Sequence, residues 1–484
     1  MLTSKQLNVM GIPNEPSVMP LAMRLVNVAL GHGADEGTMC ESLRRLCLNP
    51  SAMQDDPLLG ELATAMMNCL PDGGIFIPRA EAAPWQRWGN ADVEAEAIEQ
   101  MEHACLLPNA VRGALMPDAH LGYGLPIGGV LAVEGAVIPY AVGVDIACRM
   151  RLSVLDMPLT ALKNRHDDLV EALECQTRFG IGAAFSGSER RKHQVMDEDW
   201  SLIADLGAGL GKDKAWSQLG TSGGGNHFVE FGELHVDQPV VLGGFSLEPG
   251  IYLALLSHSG SRGTGEGIAK HFSSLAMGLR PNLPKKLAHL AWLNLESEPG
   301  QAYWAAMELM GRYASANHEL IHGHVLAHFG AKPLTHVENH HNFAWIEIHD
   351  GKKVVVHRKG ATPAARGVQG IIPGSMGSSG FVVQGLGNEQ SLASCSHGAG
   401  RRMSRAEAFR SLSRENMQAH LSKRNVELLG GSLDESPEAY KDIQEVMAVQ
   451  GDLVKILARF EPRIVKMAPE HKERRFGKKA RNTT

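Results

Sequence analysis

Aromatic side chains are scarce, at 5% of the 484 residues. Apolar residues nowhere run together for the ~18 positions that a membrane-spanning helix needs. The N-terminus lacks a basic stretch leading into an apolar one, so no secretory leader is expected. Seven cysteines, an odd number without regular spacing, exclude a disulfide framework and point to a reducing, cytoplasmic compartment. The P-loop pattern is missing, and so is a Gly-x-Gly-x-x-Gly fingerprint behind a strand, so a nucleotide would have to be held in another way. Positive charge is not in excess either. With a net charge of −6 the chain is no polycation, and any nucleic-acid contact must use local patches. Arg190-Arg191-Lys192 and the stretch Lys472 to Arg481 are the two candidates, although each taken alone reads first as solvated surface.

What the chain has in quantity is histidine and glycine, 22 and 53 residues respectively. Histidine is the commonest metal ligand and general acid or base, and glycine lets backbone approach a phosphate closely. Residues 1 to about 80 read as mostly helical, and 70–90 as a Pro-, Gly- and Trp-containing linker. Helices are expected at 91–106, 158–175, 264–278, 302–327, 404–420 and 437–459. Strands are expected at 127–133, 136–144, 149–155, 343–348, 353–358 and 381–385, with a short one at Arg463 to Lys466. The mixture has no regular βαβ beat. It predicts an α+β fold: a helical N-terminal extension and linker (1–90), one large mixed domain of central sheets flanked by helices (91–467), and a basic, disordered tail (468–484).

The chemistry gathers in short polar, glycine-containing segments. Val142-Gly-Val-Asp-Ile-Ala-Cys148 offers a carboxylate and a thiol three residues apart, behind a strand-like run. Asp145 and Cys148 read as two legs of a metal site, and a thiolate can bridge two ions; by ligand softness alone zinc is the first guess. A buried cysteine beside a surface aspartate is an equally good reading of that pair. Gly220-Thr-Ser-Gly-Gly-Gly-Asn-His-Phe-Val-Glu230 is a glycine loop entering a strand and suits an anion nest, with His227 as a ligand and Glu230 as a polar anchor. His258-Ser-Gly-Ser-Arg262 follows an apolar strand and suits a phosphate, but also a capped turn. His397-Gly-Ala-Gly-Arg-Arg402 sets a histidine among backbone donors and arginines ahead of a helix expected near Ser404. There His397 could serve as base or as nucleophile.

His318-Glu319-Leu-Ile-His322 spells the HExxH of zinc proteases on an expected helix. The glycine of the extended pattern is missing, since position 325 is Val. The other histidine segments would have no part in proteolysis. A helix rich in surface histidines is the favoured reading. Cys40, Cys47 and Cys69 form no CxxC pair and read as core.

Together these segments resemble the RtcB family of RNA ligases over about residues 110–467. The strings that carry the resemblance are Met116-Pro-Asp-Ala-His-Leu-Gly, Gly143-Val-Asp-Ile-Ala-Cys148, Gly-Asn226-His227-Phe, His258-Ser-Gly-Ser-Arg-Gly and His341-Asn342. They continue with His357-Arg-Lys-Gly-Ala, Ile372-Pro-Gly-Ser-Met-Gly377, Ser396-His-Gly-Ala-Gly-Arg-Arg-Met-Ser404, Tyr440-Lys-Asp-Ile-Gln-Glu and Ile464-Val-Lys466. The resemblance implies a ligase dependent on GTP and two Mn²⁺ ions. Its substrate would be RNA with a 3′-phosphate or 2′,3′-cyclic phosphate at one end and a 5′-hydroxyl at the other, in RNA repair or tRNA splicing. It implies His397 as the nucleophile that takes GMP from GTP and passes it to the RNA 3′-phosphate. It implies metal ligands at Asp145, Cys148, His227, His258 and His341, with manganese rather than zinc as the ion. Guanylate contacts would fall on Asn226, His227, Phe228, Val229, Glu230, Asn342, Pro373, Gly374, Ser375, Met376, His397, Gly398, Ala399, Gly400 and Lys466. A protein activator is a possible partner, and no membrane is.

The chain departs from the family's pattern at Arg149, where members usually carry Gly, at Gly380, where a Ser is frequent, and at His318, where Asn-Arg is usual. Many members also end near the Lys matching Lys466. These departures motivate an alternative, a ligation-impaired relative that binds broken RNA ends. A zinc protease is the third and weakest reading.

Overall fold

The computed structural model describes residues 2–48, 50–68, 78–89, 93–206, 210–281 and 283–470. The stretch Lys472 to Arg481, most of the expected tail, and residues 70–77 and 90 of the expected 70–90 linker lie outside these residues, as does Cys69. The architecture is α+β; among the described residues two large sheets, with three two-stranded ones beside them, are flanked by helices. The smaller sheet contains β1 (Trp85–Arg87), β2 (Ala110–His120) and β3 (Ile127–Val133). The larger one contains β4 (Arg149–Leu155), β5 (Phe228–Val236), β6 (Gly250–Ser259) and β7 (Pro333–His340). The chain then crosses to the smaller sheet as β8 (Asn342–His349) and β9 (Lys352–Lys359), and returns as β10 (Gln369–Ile372), β11 (Gly380–Gly385) and β12 (Val454–Met467). The orders are β1-β2-β3-β9-β8 and β7-β4-β6-β5-β12-β11-β10, with Glu427–Leu429 running parallel to β12.

The larger sheet is buried on both faces. One face carries Met150, Leu152, Val154, Ala254, Leu256 and Phe460 against Met417 and Leu421 of the helix Arg414–Lys423. The other carries Val229, Phe231, Leu253 and Leu255 against Ile321 and Val325 of the long helix Glu298–His328. Ser297 caps that helix by accepting from Gly300 N, and Pro299 sits in its first turn, where its missing N–H costs nothing. The N-terminal helices Ser4–Val9, Met19–Gly31, Glu36–Leu48 and Gly60–Asn68 add Leu7, Val26, Leu43 and Leu62 to the apolar cluster that holds Tyr303, Met307 and Met310 of the long helix.

Several local expectations are corrected. Residues 136–144 form a two-residue strand, Ala136–Val137, and one helical turn, Pro139–Val142, because Pro139 cannot donate to a ladder but suits a helix start. The expected helix at 437–459 shrinks to Ile443–Ala448. Past Gly451 the chain becomes the 14-residue strand β12, of which the expected strand at Arg463 to Lys466 is only the end. Its buried and exposed side chains largely alternate, both neighbours offer ladders, and Pro462 falls at a bulge, where a missing donor is tolerated. The helices expected at 158–175 and 404–420 are each broken in two; in the second, Ser413 restarts the helix by accepting from Asn416 N.

Candidate active site

Strand register brings the candidate residues to one end of the larger sheet. Cys148 directly precedes β4, His227 directly precedes β5, and His258 is the penultimate residue of β6. In the ladders Met150 lies opposite His258, Phe228 lies opposite His258, and His340 lies opposite Arg149. His341 is the single residue between β7 and β8, at the point where the chain leaves one sheet for the other. Asp145 approaches from the loop before Cys148 and accepts from Ser261 N at 3.0 Å. A Cβ at residue 260 would lie 2.2 Å from the Asp145 oxygens, so only glycine admits that carboxylate.

The donor atoms converge. Cys148 Sγ is 3.3 Å from His227 Nε2 and 3.1 Å from His258 Nε2. His258 Nε2 is 3.3 Å from His341 Nε2, and His227 Nε2 is 3.1 Å from Asp145 Oδ2. Two metal-competent groups result, Cys148-His258-His341 and Asp145-Cys148-His227, and they share the thiol. His258 Nδ1 lies 3.1 Å from the Asn226 carbonyl, a contact that fixes the Nδ1–H tautomer and leaves Nε2 free as a ligand. Burial, then the neighbouring imidazoles, hold His258 and His341 well below the usual histidine range, so both are neutral, as ligands must be. Burial and then the Asp145 carboxylate push the Cys148 thiol well up. For Asp145 itself burial acts upward, but His227 and Arg262 reverse it and the net shift is downward.

These groups wall a cavity of about 710 Å³ together with Asn226, Phe228, Asn342, Pro373 to Met376 and His397 to Gly400. Val229, Glu230 and Lys466 do not line it. Val229 faces the long-helix side of the sheet. Glu230 is 4% exposed, and burial pushes its carboxyl well above the usual range. Lys466 is turned to Glu174, with Nζ 2.7 Å from the carboxylate and bonded to the Leu173 and Glu174 carbonyls. Arg262 is not at the cavity wall either: its guanidinium donates to Thr221 Oγ1 and the Gly180 carbonyl.

Asp118 lies inside the Met116–Gly122 motif and has no role assigned by its sequence setting. Asp118 is fully buried, and its Oδ2 accepts from His397 Nδ1 at 2.6 Å, His397 N at 3.1 Å and Gly398 N at 3.3 Å. Burial would raise its carboxyl, but His397, Lys441 and His120 together outweigh that and lower it. Lys441 is anchored to the carbonyls on either side of Asp118, those of Pro117 and Ala119. Asp118 lies on β2, a strand that was not among those expected, and a lone carboxylate between Pro117 and Ala119 in a glycine-rich motif was the signal available.

The HExxH helix is settled by its facing. His318 and His322 are buried, not surface residues. Both bond Ser257 Oγ of β6, and His322 also bonds Ser153 Oγ of β4, while Glu319 turns outward to His193. Arg149 is directed away from the cavity: it pairs with Glu338, which also holds Arg151 and Ser315, and donates to the Gly311 carbonyl of the long helix. The patch at Arg190 to Lys192 is not a free one, since Arg190 pairs with Asp213 and Arg191 is buried on two carbonyls. No helix among the described residues is long and apolar enough to cross a membrane.

The family described as tRNA-splicing ligase RtcB matches residues 100–467. The chain is similar to the RNA-splicing ligase RtcB of Escherichia coli (strain K12), 35% identical over 412 residues that cover 78% of this chain and 95% of that protein. It is 34% identical to the RNA-splicing ligase RtcB of Mycobacterium tuberculosis over 75% of this chain and 98% of that one. It is 31% identical to the tRNA-splicing ligase RtcB of Nanoarchaeum equitans over 76% and 91%. With the cavity, its shared-thiol cluster and these likenesses in hand, the chain belongs to the tRNA-splicing ligase RtcB family.

Proposed function

We propose that the protein is a GTP- and Mn²⁺-dependent RNA ligase of the cytoplasm. It joins a 3′-phosphate or 2′,3′-cyclic phosphate end to a 5′-hydroxyl end, in RNA repair or tRNA splicing. Residues 91–467 are its catalytic unit, which fits the matched span, and 1–90 a helical extension. The observation that carries the reading is His397, at the wall of the cavity, with Nδ1 bound to the buried Asp118 carboxylate at 2.6 Å. That bond sets the proton on Nδ1 and leaves the Nε2 lone pair to attack.

In this scheme His397 Nε2 attacks the α-phosphorus of GTP. The N–P bond forms, the bond to the β-phosphate oxygen breaks, and pyrophosphate leaves. An oxygen of the RNA 3′-phosphate then attacks the same phosphorus and frees His397. The 5′-hydroxyl oxygen attacks the activated RNA phosphate, loses its proton and expels GMP. A cyclic end is first opened by water. Asp118 stabilises the positive charge that His397 acquires in the first step. The backbone N–H groups of Ala399 and Gly400, and of Gly374 to Met376, suit the phosphate oxygens. The buried Glu230 stands two strand positions beyond the wall residue Phe228, on the same face of the sheet, and would meet donors on the guanine edge only if the base reached past that wall.

Asp145, Cys148, His227, His258 and His341 would hold divalent cations, since they form two donor groups that have Cys148 in common. Such ions would neutralise phosphate charge and stabilise a leaving oxygen. The decisive experiment is incubation with α-labelled GTP and Mn²⁺ followed by a denaturing gel. An acid-labile labelled band that is absent in His397→Ala is expected; the same band in His397→Ala would remove His397 from this role. The departures at Arg149 and Gly380 both lie off the cavity wall, which favours an active ligase over a binding-only relative.

A further inference from the structure

Two large apolar side chains stand exposed at the rim of the cavity, Leu121 at 53% and Tyr123 at 65%. They belong to the turn that joins β2 to β3, and that turn is unusually well tied down. Leu121 N donates to Glu94 Oε2 at 3.1 Å. Gln100, on the helix Ala95–Cys105, donates to the Gly122 carbonyl and accepts from Gly122 N at 3.0 Å. The Tyr123 carbonyl accepts from Lys359 Nζ at 2.5 Å. Gly124 has φ +73°, and a Cβ there would lie 2.7 Å from the His289 carbonyl, so the turn is pressed against its support.

The support is aromatic. The His289 ring meets Tyr123 at 5.6 Å and 90°, and meets Tyr140 at 4.9 Å and 71°; the two tyrosines lie 6.3 Å apart at 35°. Neither neighbour stacks its ring parallel on Tyr123. Its exposure leaves ring surface for a ligand to meet. An exposed tyrosine is ordinarily a mobile one, but here backbone and ring are both held, so little freedom is lost when a flat ligand stacks on it. Two side chains make too small a patch for a protein interface. A single braced ring beside a phosphate-handling cavity instead has the form of a base platform.

We propose that Tyr123 stacks a nucleobase at the end of the RNA, with Leu121 beside it. This assignment rests on the ligase reading above. The platform positions the strand end while His397 and the neighbouring donors handle its phosphate. It accepts any base, because every base offers a π-face, and so it contributes affinity without sequence preference.

The test uses the full-length protein and short RNA strands with 2-aminopurine as the terminal base, one strand ending in a 3′-phosphate and the other in a 5′-hydroxyl. Stacking on an aromatic ring quenches this fluorophore. The wild type is expected to quench at least one of the two ends. Tyr123→Ala should lose that quenching and raise the KM for RNA roughly 5- to 150-fold, the range that base–aromatic stacking spans. The rise should be concentrated in KM rather than kcat, and Tyr123→Phe, which keeps the ring, should restore both readouts. Equal quenching in wild type and Tyr123→Ala, or RNA binding by the wild type without quenching at either end, overturns the proposal. Label transfer from GTP, which needs no RNA, is measured on the wild type in parallel. If that label and RNA binding are both missing, the ligase reading itself fails; if they are present and only the stacking signals are missing, the platform alone fails.

Discussion

Substituting Asn for Asp118 should remove one negative charge and little else. All three donors to Asp118 converge on Oδ2, whereas Oδ1 has no hydrogen-bond partner. An asparagine can therefore seat its carbonyl where Oδ2 stands, keep all three bonds, and turn its amide into the Oδ1 position. What is lost is the attraction between the carboxylate and the positive charge that spreads over His397 as Nε2 bonds to phosphorus. Opposite unit charges about 4 Å apart attract by about 4 kcal/mol at an effective dielectric of about 20. At about 1.4 kcal/mol per factor of ten, Asp118→Asn should slow guanylylation about 1000-fold. The assay is single-turnover transfer of α-labelled GTP onto the protein at saturating GTP, with thermal melting alongside to confirm the fold. Asp118→Ala should be slower still, because it also strands two backbone N–H groups. A folded Asp118→Asn protein that labels within tenfold of the wild type would refute the electrostatic argument and leave Asp118 a purely structural role.

Metal content by atomic emission should report about two Mn²⁺ per chain in the wild type. Cys148→Ala, which removes the ligand common to both donor groups, should lower both occupancies; two ions retained would exclude a bridging thiol. Glu338→Gln should cost about 3–5 kcal/mol in denaturant titrations, because it leaves the buried Arg149 and the partly buried Arg151 without their counter-charge, and a loss under about 1 kcal/mol would contradict this. Acid should destabilise the protein early. Burial lowers His318 to about 3 and His357 to about 4, against about 6.5 in the unfolded chain. The unfolded state therefore takes up protons first as pH falls. The stability these neutral side chains supply is complete above pH ~6.5 and lost between there and their folded values, by up to about 1.4 kcal/mol per pH unit each. Denaturant midpoints that stay flat from pH 7 to 5 would show that the two rings are not held neutral.

The sequence made the strand ends more legible than the strands. Asp145, Cys148, His227, His258 and His341 all lie where an apolar run meets small polar residues, so each could be picked out singly. Their convergence could not be read from any one segment. It depends on register: β4, β5 and β6 must pair so that Cys148, His227 and His258 reach the same edge, and β7 must end so that His341 falls between the sheets. The family pattern supplied that information, where periodicity could not. Lys466 and Glu230 show the reverse case. Both match the pattern, yet Glu174 holds the one and the sheet buries the other behind the cavity wall. The long strand β12 escaped because its partners are far away in the chain: Val454 to Phe460 pairs with β11, and Arg459 to Met467 with β5.

The HExxH segment shows where such reading ends in principle. Spacing of four places His318 and His322 on the same side of a helix, and nothing in that spacing says which way the side faces. A protease would need both rings turned into a cleft with Glu319 beside them. Here Ser153 and Ser257, on neighbouring strands and on the same sheet face, draw the two rings inward and bond them, and Glu319 is left on the outside. Position 318 departs from the family's pattern, yet the imidazole satisfies the polar groups it meets. Arg149 behaves likewise, finding Glu338 and the Gly311 carbonyl. The two departures thus belong to one buried polar seam between the long helix and the larger sheet, on the opposite face from His258. That is why they can coexist with an intact set of ligands.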